Sequence, residues 1–484
     1  MRLDEVWEHA PPVEVAGLAY DTRQLRPGDA FFCVRGFTRD GHDLAPDAVA
    51  AGAGALVVDH PLGLGVPEVV VEDVRAAMAP AAARLHGDPT AALRVVGITG
   101  TNGKTTTAYL VRELLAAAGN PTGLLGTVTA VVGGQESQAV RTTPEAIDLQ
   151  GAFARMLAAG DTHCVMEVSS HALQLHRADA IHWAVAVFTN LTRDHLDFHP
   201  DMEAYFAAKR RLFTAAPSGD SGTGDAAPGT SVVNVDDPYG TRLARELGDR
   251  VVTVGLEAQA QVRASDMRFD AHGATFRLDG VELRSPLPGR FNVLNALCAV
   301  ATVRALGVDD AAIAAALPGA GRVPGRFEPV DEGQPFAVFV DYAHTPDSLD
   351  NVLRAARPLA GGQVWCVFGC GGDRDRDKRP LMGAVACREA DRVIVTSDNP
   401  RSEEPQAIVD QIVAGAGPPG PGLEIVLDRR EAIARALEGA REGDVVVIAG
   451  KGHEQGQELA GGVKVPFDDA AVAREALRAR LAHA

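Results

Sequence analysis

Short apolar runs separated by turn residues dominate the chain, and their spacing predicts alternating strands and helices rather than long helices. In residues 1–93, Ala30-Phe31-Phe32-Cys33-Val34 and Ala55-Leu56-Val57-Val58 have the continuous apolar character of buried strands. Residues 47–53 and 74–85 carry helical patterns, and Gly87-Asp88-Pro89-Thr90 is a linker signal. A second unit, residues 94–322, opens on a strand over 94–99, followed by a Gly-rich turn and an amphipathic helix from about Lys104 to Ala118. Further strands are expected at 164–168, 185–189 and 231–234, so the βα order predicts a parallel sheet with crossover helices. Residues 251–286 alternate as antiparallel strands do, an Ala-rich helix covers 292–306, and Pro217 to Gly229 has the composition of a mobile surface loop. The third unit, residues 323–484, repeats strand and helix, with strands at 337–340, 364–368, 392–396 and 445–449. That spacing suits a doubly wound, Rossmann-like domain. The fold class is therefore α/β in three domains.

Composition narrows this picture without redirecting it. The apolar fraction of 46% and charged fraction of 23% are ordinary globular values, so wholesale disorder is excluded. The net charge of -18 argues against general binding to nucleic acid, because phosphate is repelled. No run reaches the ~20 apolar residues of a membrane span. The acids at Asp4 and Glu5 are unlike a secretory leader. Cys366 and Cys370, four apart among strand-like residues, form neither a zinc site nor a disulfide framework. A reduced, cytoplasmic protein without membrane insertion is expected.

The clearest chemistry is Gly100-Thr101-Asn102-Gly103-Lys104-Thr105-Thr106, placed between a buried strand and a helix. Glycines there turn backbone N–H groups toward phosphate, Lys104 adds a point charge, and the Thr105 hydroxyl can reach Mg²⁺. The longer Walker pattern fails, since its first glycine would fall at Ile98. Glu167 ends the strand at 164–168, where α/β sheets bind ligands, and its carboxylate suits Mg²⁺.

This loop resembles the ATP loop of the Mur ligases and their folylpolyglutamate synthetase relatives, which are ATP-dependent amide-forming ligases. Later motifs extend the resemblance over nearly the whole chain. Asn190-Leu191-Thr192-Arg193-Asp194-His195-Leu196-Asp197-Phe198-His199 is similar to the family's N-L-x-x-D-H-L-D-x-H run, which implies that His195 helps hold a second Mg²⁺. Met202 to Lys209 matches M-x-x-Y-x-x-A-K, whose lysine is carbamoylated in the family. The resemblance thus implies a metal set of Thr105, Glu167, His195 and carbamoylated Lys209, with Lys104 also catalytic. Asn292 resembles the adenine-reading asparagine, and an N-cap role is compatible with that. Arg326 matches G-R-x-E, while Asp341 and His344 match D-Y-A-H-x-P near the nucleotide.

By the same resemblance the first domain binds a UDP-sugar, the central P-loop-type domain binds ATP, and the third binds an amino acid. Asp21-Thr22-Arg23 resembles the D-S-R that meets the UDP-sugar. Thr142, Thr143, Ser169 and Arg177 would meet the peptidyl arm of a UDP-N-acetylmuramoyl-dipeptide, with His171 nearby. Asp398-Asn399-Pro400-Arg401 is similar to the D-N-P-R of members that add meso-diaminopimelate. Arg401 and Arg374 would bind a carboxylate, Asp398 and Glu454 an ammonium, and Gly450 belongs to the accompanying G-K-G-H-E. L-ornithine or L-lysine as the incoming amino acid stays open; the D-N-P-R and G-K-G-H-E motifs argue against a sister ligase, and the set of Glu167, His195 and Lys209 against an ATP-binding regulatory module without ligation. An anionic substrate is compatible with the acidic chain if Lys104, Arg177 and Arg193 gather in the pocket. A monomer is expected.

Overall fold

The computed structural model describes residues 1–37, 39–214, 227–270, 272–417, 420 and 422–483. Most of the loop expected over 217–229 lies outside the described residues. Three main sheets are present. The first runs Leu18–Ala19, Ala30–Phe32, Ala55–Val58 and Glu68–Val70, all parallel.

The second sheet has nine strands. Arg94–Thr99 lies at its centre, flanked in parallel by His163–Glu167 on one side and Trp183–Phe188 on the other. The register sets Glu167 beside Ile98 and Phe188 beside Thr99. Three strand ends therefore open side by side, the position where parallel α/β sheets form a crevice. Helices Lys104–Ala117 and Arg290–Ala305 bury one face, and Ala146–Ala159 with Met202–Arg210 bury the other.

The antiparallel expectation for 251–286 needs correction. Val251–Gly255 and Val262–Arg263 extend the central sheet in parallel, and only Ser265–Asp270, Gly273–Leu278 and Val281–Ser285 form an antiparallel sheet. Val251–Gly255 sits near the sheet edge and is only partly covered, so its pattern imitates that of a one-sided antiparallel strand. At the opposite edge Thr129–Val132 and Gln135–Gln138 form a hairpin. Its turn places Gly133 and Gly134 at positive φ, which a side chain would resist.

The third sheet orders Glu328–Pro329, Ala337–Asp341, Val445–Ala449, Val364–Phe368, Arg392–Val395 and Leu423–Ile425, parallel except for the first pair. Its central strands carry the Asp341, Gly450, Gly369 and Thr396 loops at adjacent carboxyl ends. All six cysteines are free thiols. Among the described residues no helix is long and apolar enough to cross a membrane.

Candidate active site

A crevice of about 660 Å³ opens between the carboxyl ends of the second and third sheets, with Phe37 of the first domain on its rim. The loop before helix Lys104–Ala117 forms its floor. Gly100 must be glycine, because a Cβ there would lie 1.8 Å from Thr189 Oγ1 and its φ is +152°. Lys104 Nζ curls back to donate to the carbonyls of Gly100 and Thr101, both at 2.9 Å. Burial lowers its affinity for a proton, and Glu167 opposes that shift.

Glu167 is almost fully buried and is gripped at both oxygens. Thr127 N–H donates to Oε1 at 2.7 Å; the Thr127 and Thr105 hydroxyls donate to Oε2 at 3.0 and 2.9 Å. Arg326 Nη2 donates to Thr105 Oγ1 at 3.2 Å, and the guanidinium stacks 4.5 Å from the Tyr342 ring centre. Thr127 was not legible in the sequence, since it belongs to no phosphate motif and its contact with Glu167 spans 40 residues. A Thr127→Val variant keeps the shape and the backbone donor but loses the hydroxyl. Losing one hydrogen bond to a charged group, about 1.5 kcal/mol, is expected to cut kcat roughly tenfold and to raise the Mg²⁺ concentration giving half-maximal rate. A Mg²⁺ titration of phosphate release checks it, and an unchanged curve would remove Thr127 from the site.

Thr105 and Glu167 present adjacent oxygens, the donor type a hard divalent cation prefers, so this pair fits Mg²⁺. His195 also lines the crevice. Desolvation lowers its imidazole, the neighbouring Asp194 carboxylate opposes that shift, and the neutral ring is the form that ligates a metal. Lys209 lies behind the phosphate loop, 1% exposed, donating to the same Gly100 carbonyl as Lys104, at 2.9 Å. Burial, then the Lys104 charge, hold its amine well below the usual lysine range.

On the nucleotide side, Asn292, Arg326, Asp341 and His344 all line the crevice. The Asn292 amide donates to Pro288 O at 2.8 Å and accepts from Asn295 Nδ2 at 3.2 Å, leaving one N–H and one lone pair for a ligand. Asp341 accepts from Phe327 N–H at 2.6 Å and Ala343 N–H at 2.8 Å, and burial pushes its carboxyl up to about 6. It therefore shapes its own loop as well as facing the crevice. Burial lowers the His344 imidazole, whose Nδ1 pairs with the Tyr342 carbonyl at 2.8 Å. Asp347, which the sequence reading passed over, accepts from Asn102 Nδ2 at 2.9 Å and Thr192 Oγ1 at 3.3 Å, tying the third domain to the phosphate loop.

The other wall holds Thr142, Thr143, Ser169, His171 and Arg177. Thr143 Oγ1 donates to Glu167 O at 2.9 Å, and Ser169 Oγ caps the helix Ser170–Gln174. Arg177 and Arg141 pair with buried Glu145 at 3.0 and 2.6 Å, and Arg75 lies 3.6 Å from it, so three guanidiniums share one carboxylate. Arg193, expected in the pocket, instead faces Asp375 and Asp377 at 3.8 and 3.5 Å. The loop carrying it turns toward the acidic 375–377 segment of the third domain.

The remaining residues divide. Arg374 lines the crevice. Thr22 is outside that lining, next to an Asp21–Arg23 ion pair. Asp398, Asn399, Arg401, Gly450 and Glu454 form a separate polar cluster at the mouths of the third sheet. Asn399 Nδ2 donates to Glu454 Oε2 at 2.8 Å, and Arg401 Nε pairs with Glu458 Oε2 at 3.0 Å. The sequence reading assigned no role to Glu458.

A different group, His42, Asp59 and His60, has metal-ligand types close together in the first domain. Arg35 already pairs with Asp59 at 2.9 Å, and none of the three lines the crevice.

Comparisons with known proteins agree along the chain. Residues 14–86 match the Mur ligase family catalytic domain, 98–303 the Mur ligase middle domain, and 325–452 the Mur ligase glutamate ligase domain. The UDP-N-acetylmuramoyl-L-alanyl-D-glutamate–2,6-diaminopimelate ligase of Geobacillus kaustophilus (strain HTA426) is 46% identical over 476 residues, covering 98% of this chain and 96% of that protein. A solved structure of a UDP-N-acetylmuramoyl-L-alanyl-D-glutamate–2,6-diaminopimelate ligase superposes with TM-score 0.69 at 34% identity, covering 99% of both chains. The MurF ligase of Thermotoga maritima, in complex with ADP, shares the fold at TM-score 0.62 and 18% identity, covering 96% of each chain.

Proposed function

The chain belongs to the Mur ligase family, and we propose that it adds meso-2,6-diaminopimelate to UDP-N-acetylmuramoyl-L-alanyl-D-glutamate, with hydrolysis of ATP, in peptidoglycan synthesis. The observation carrying this reading is the identity of 46% to a ligase of that name over nearly the whole of both chains. Residues 1–93 hold the UDP-sugar, 94–322 the ATP and 323–484 the amino acid, in a cytoplasmic monomer.

The ATP γ-phosphoryl passes to the side-chain carboxylate of D-glutamate, giving an acyl phosphate and ADP. The diamino acid's amine then attacks the acyl carbon, loses a proton, and phosphate leaves as the amide forms. Lys104 and Arg326 spread the charge of the transferred group, and the N–H groups opening helix Lys104–Ala117 orient it. Asn292, held by the Asn295 amide, meets the adenine. Arg177 and Arg141, with surplus positive charge around Glu145, face the anionic dipeptide. Thr105 and Glu167 would hold one Mg²⁺, and His195 with a carbamoylated Lys209 would hold a second. When bound, the ion neutralises charge on the phosphoryl oxygens.

The test offers the purified chain UDP-N-acetylmuramoyl-dipeptide and ATP with diaminopimelate, L-lysine or L-ornithine, and follows phosphate release. Release is expected with diaminopimelate. Silence with all three rejects the ligase reading, and release with lysine or ornithine alone rejects the amino-acid assignment. Arg401→Ala is expected to raise the KM for diaminopimelate about tenfold or more, the cost of a charge-assisted bond to its distal carboxylate. Its KM for ATP should be unmoved, and a diaminopimelate KM equal to the parent's would remove Arg401 from recognition.

A further inference from the structure

The polar cluster at the mouths of the third sheet is organised around a residue to which neither the sequence motifs nor the reaction above gives a role. Lys451 follows strand Val445–Ala449 and is fully buried, a rare location for a lysine. Its Nζ donates to Asn399 Oδ1 at 2.9 Å and to Glu454 Oε2 at 3.1 Å, and lies 3.6 Å from Asp398 Oδ1. Every side-chain group proposed for the diamino acid's ammonium is thus within reach of one buried cation. Asn399 closes the array by donating to Glu454 at 2.8 Å and accepting from Glu458 N–H at 3.0 Å.

The strand ends that carry these loops have a buried support besides Lys451. Arg429, also buried, forms paired 2.7 Å bonds to Asp469 and donates to Ala449 O at 2.9 Å and Ser397 O at 3.5 Å. That pair braces both strand ends from behind. Lys451 faces only the side chains in front.

We propose that Lys451 is the positioning residue of the diamino-acid site, holding Asp398, Asn399 and Glu454 in one array that carries a single net negative charge. The inference rests on the ligase reading. Both carboxylates reach the same ammonium, which offsets the repulsion between them. Two carboxylates and one ammonium sum to a single formal negative charge, which matches one incoming ammonium. Asp398, 8% exposed, stays fixed, whereas Glu454, 32% exposed, keeps a face open to the incoming group. Asn399 is held with its oxygen toward Lys451 and the Glu458 N–H and its own N–H toward Glu454, so the cation and one backbone donor fix its orientation together. Lys451 touches no reacting atom in this scheme.

Steady-state kinetics of the full chain, varying each substrate in turn, test this. Lys451→Met is expected to raise the KM for diaminopimelate about tenfold or more, as for loss of hydrogen bonds to charged groups. The KM values for ATP and the UDP-dipeptide should stay within about twofold, because a merely structural defect would move all three together. Lys451→Gln, which retains a donor for Asn399 but no charge, should show a smaller rise, and it carries the same comparison if the methionine variant melts early. An unchanged diaminopimelate KM in both variants, or a parallel shift of all three constants, overturns the proposal. The two failures are distinguishable: the ligase reading fails in the unaltered chain, whereas this proposal fails only in the variants.

Discussion

Lys104→Met is expected to lower kcat about 10³-fold, equivalent to ~4 kcal/mol of transition-state stabilisation. Without a ligand the ammonium is satisfied by two carbonyls of its own loop, Gly100 and Thr101. These neutral acceptors are the weaker partners, so an arriving phosphoryl group takes over the charge, most strongly as charge develops during transfer. Methionine preserves the apolar stem and length, so the loop and helix Lys104–Ala117 should remain folded. Gly100, Gly103 and the helix N-terminus still bind phosphate, so the KM for ATP should rise far less than kcat falls. Initial rates of phosphate release with all three substrates give both constants. A loss below about tenfold would show that Lys104 only binds nucleotide.

Lys209→Arg is expected to cost about 10² to 10³-fold in kcat, the range of losing an anionic ligand that supports transition-state charge. The Lys209 amine has an unusual setting for a cation. It shares the Gly100 carbonyl with Lys104 and lies 4.6 Å from the Tyr205 ring centre. Burial and the charge of Lys104 both favour the neutral amine. A neutral amine attacks CO₂, forming an N–C bond and releasing a proton, and the product carbamate is an anion. Repulsion from Lys104 then becomes attraction, and the new oxygens are hard donors suited to Mg²⁺. Arginine stays protonated and cannot follow this route. Intact-mass measurement in bicarbonate should show one added CO₂ on the unaltered chain and none on the variant. A bare lysine at full activity, with Lys209→Arg equally active, would refute the carbamate.

Both substitutions act on residues found from the sequence, and that says where legibility was high. The phosphate loop is contiguous, so Gly100 to Thr106 declared itself by local pattern alone. Strand ends such as Glu167 were legible because a buried run stops abruptly at a polar residue. Helix Met202–Arg210 was also legible, whereas the placement of its lysine beneath the Gly100 carbonyl came only with the tertiary structure. Arg193 shows the opposite case. Its charge suited the pocket, yet its loop turns it to Asp375 and Asp377, more than 180 residues away. No local pattern encodes that pairing. The parallel strands over 251–263 were misread because edge position, not strand direction, sets the exposure pattern.

The sequence by itself determined the order of strands and helices, the phosphate loop and the motifs that mark the family, because hydrophobic period and backbone-turn chemistry act over a few residues. The tertiary structure alone decided which of those residues share a crevice and which charges are already spent. It set Thr127 on Glu167, placed three arginines around Glu145, gave Arg401 a partner in Glu458, and enclosed Lys451 among the acids it neutralises. Ion pairing and burial depend on distances through space, and the parallel sheets bring together strand ends that lie tens to hundreds of residues apart in the chain.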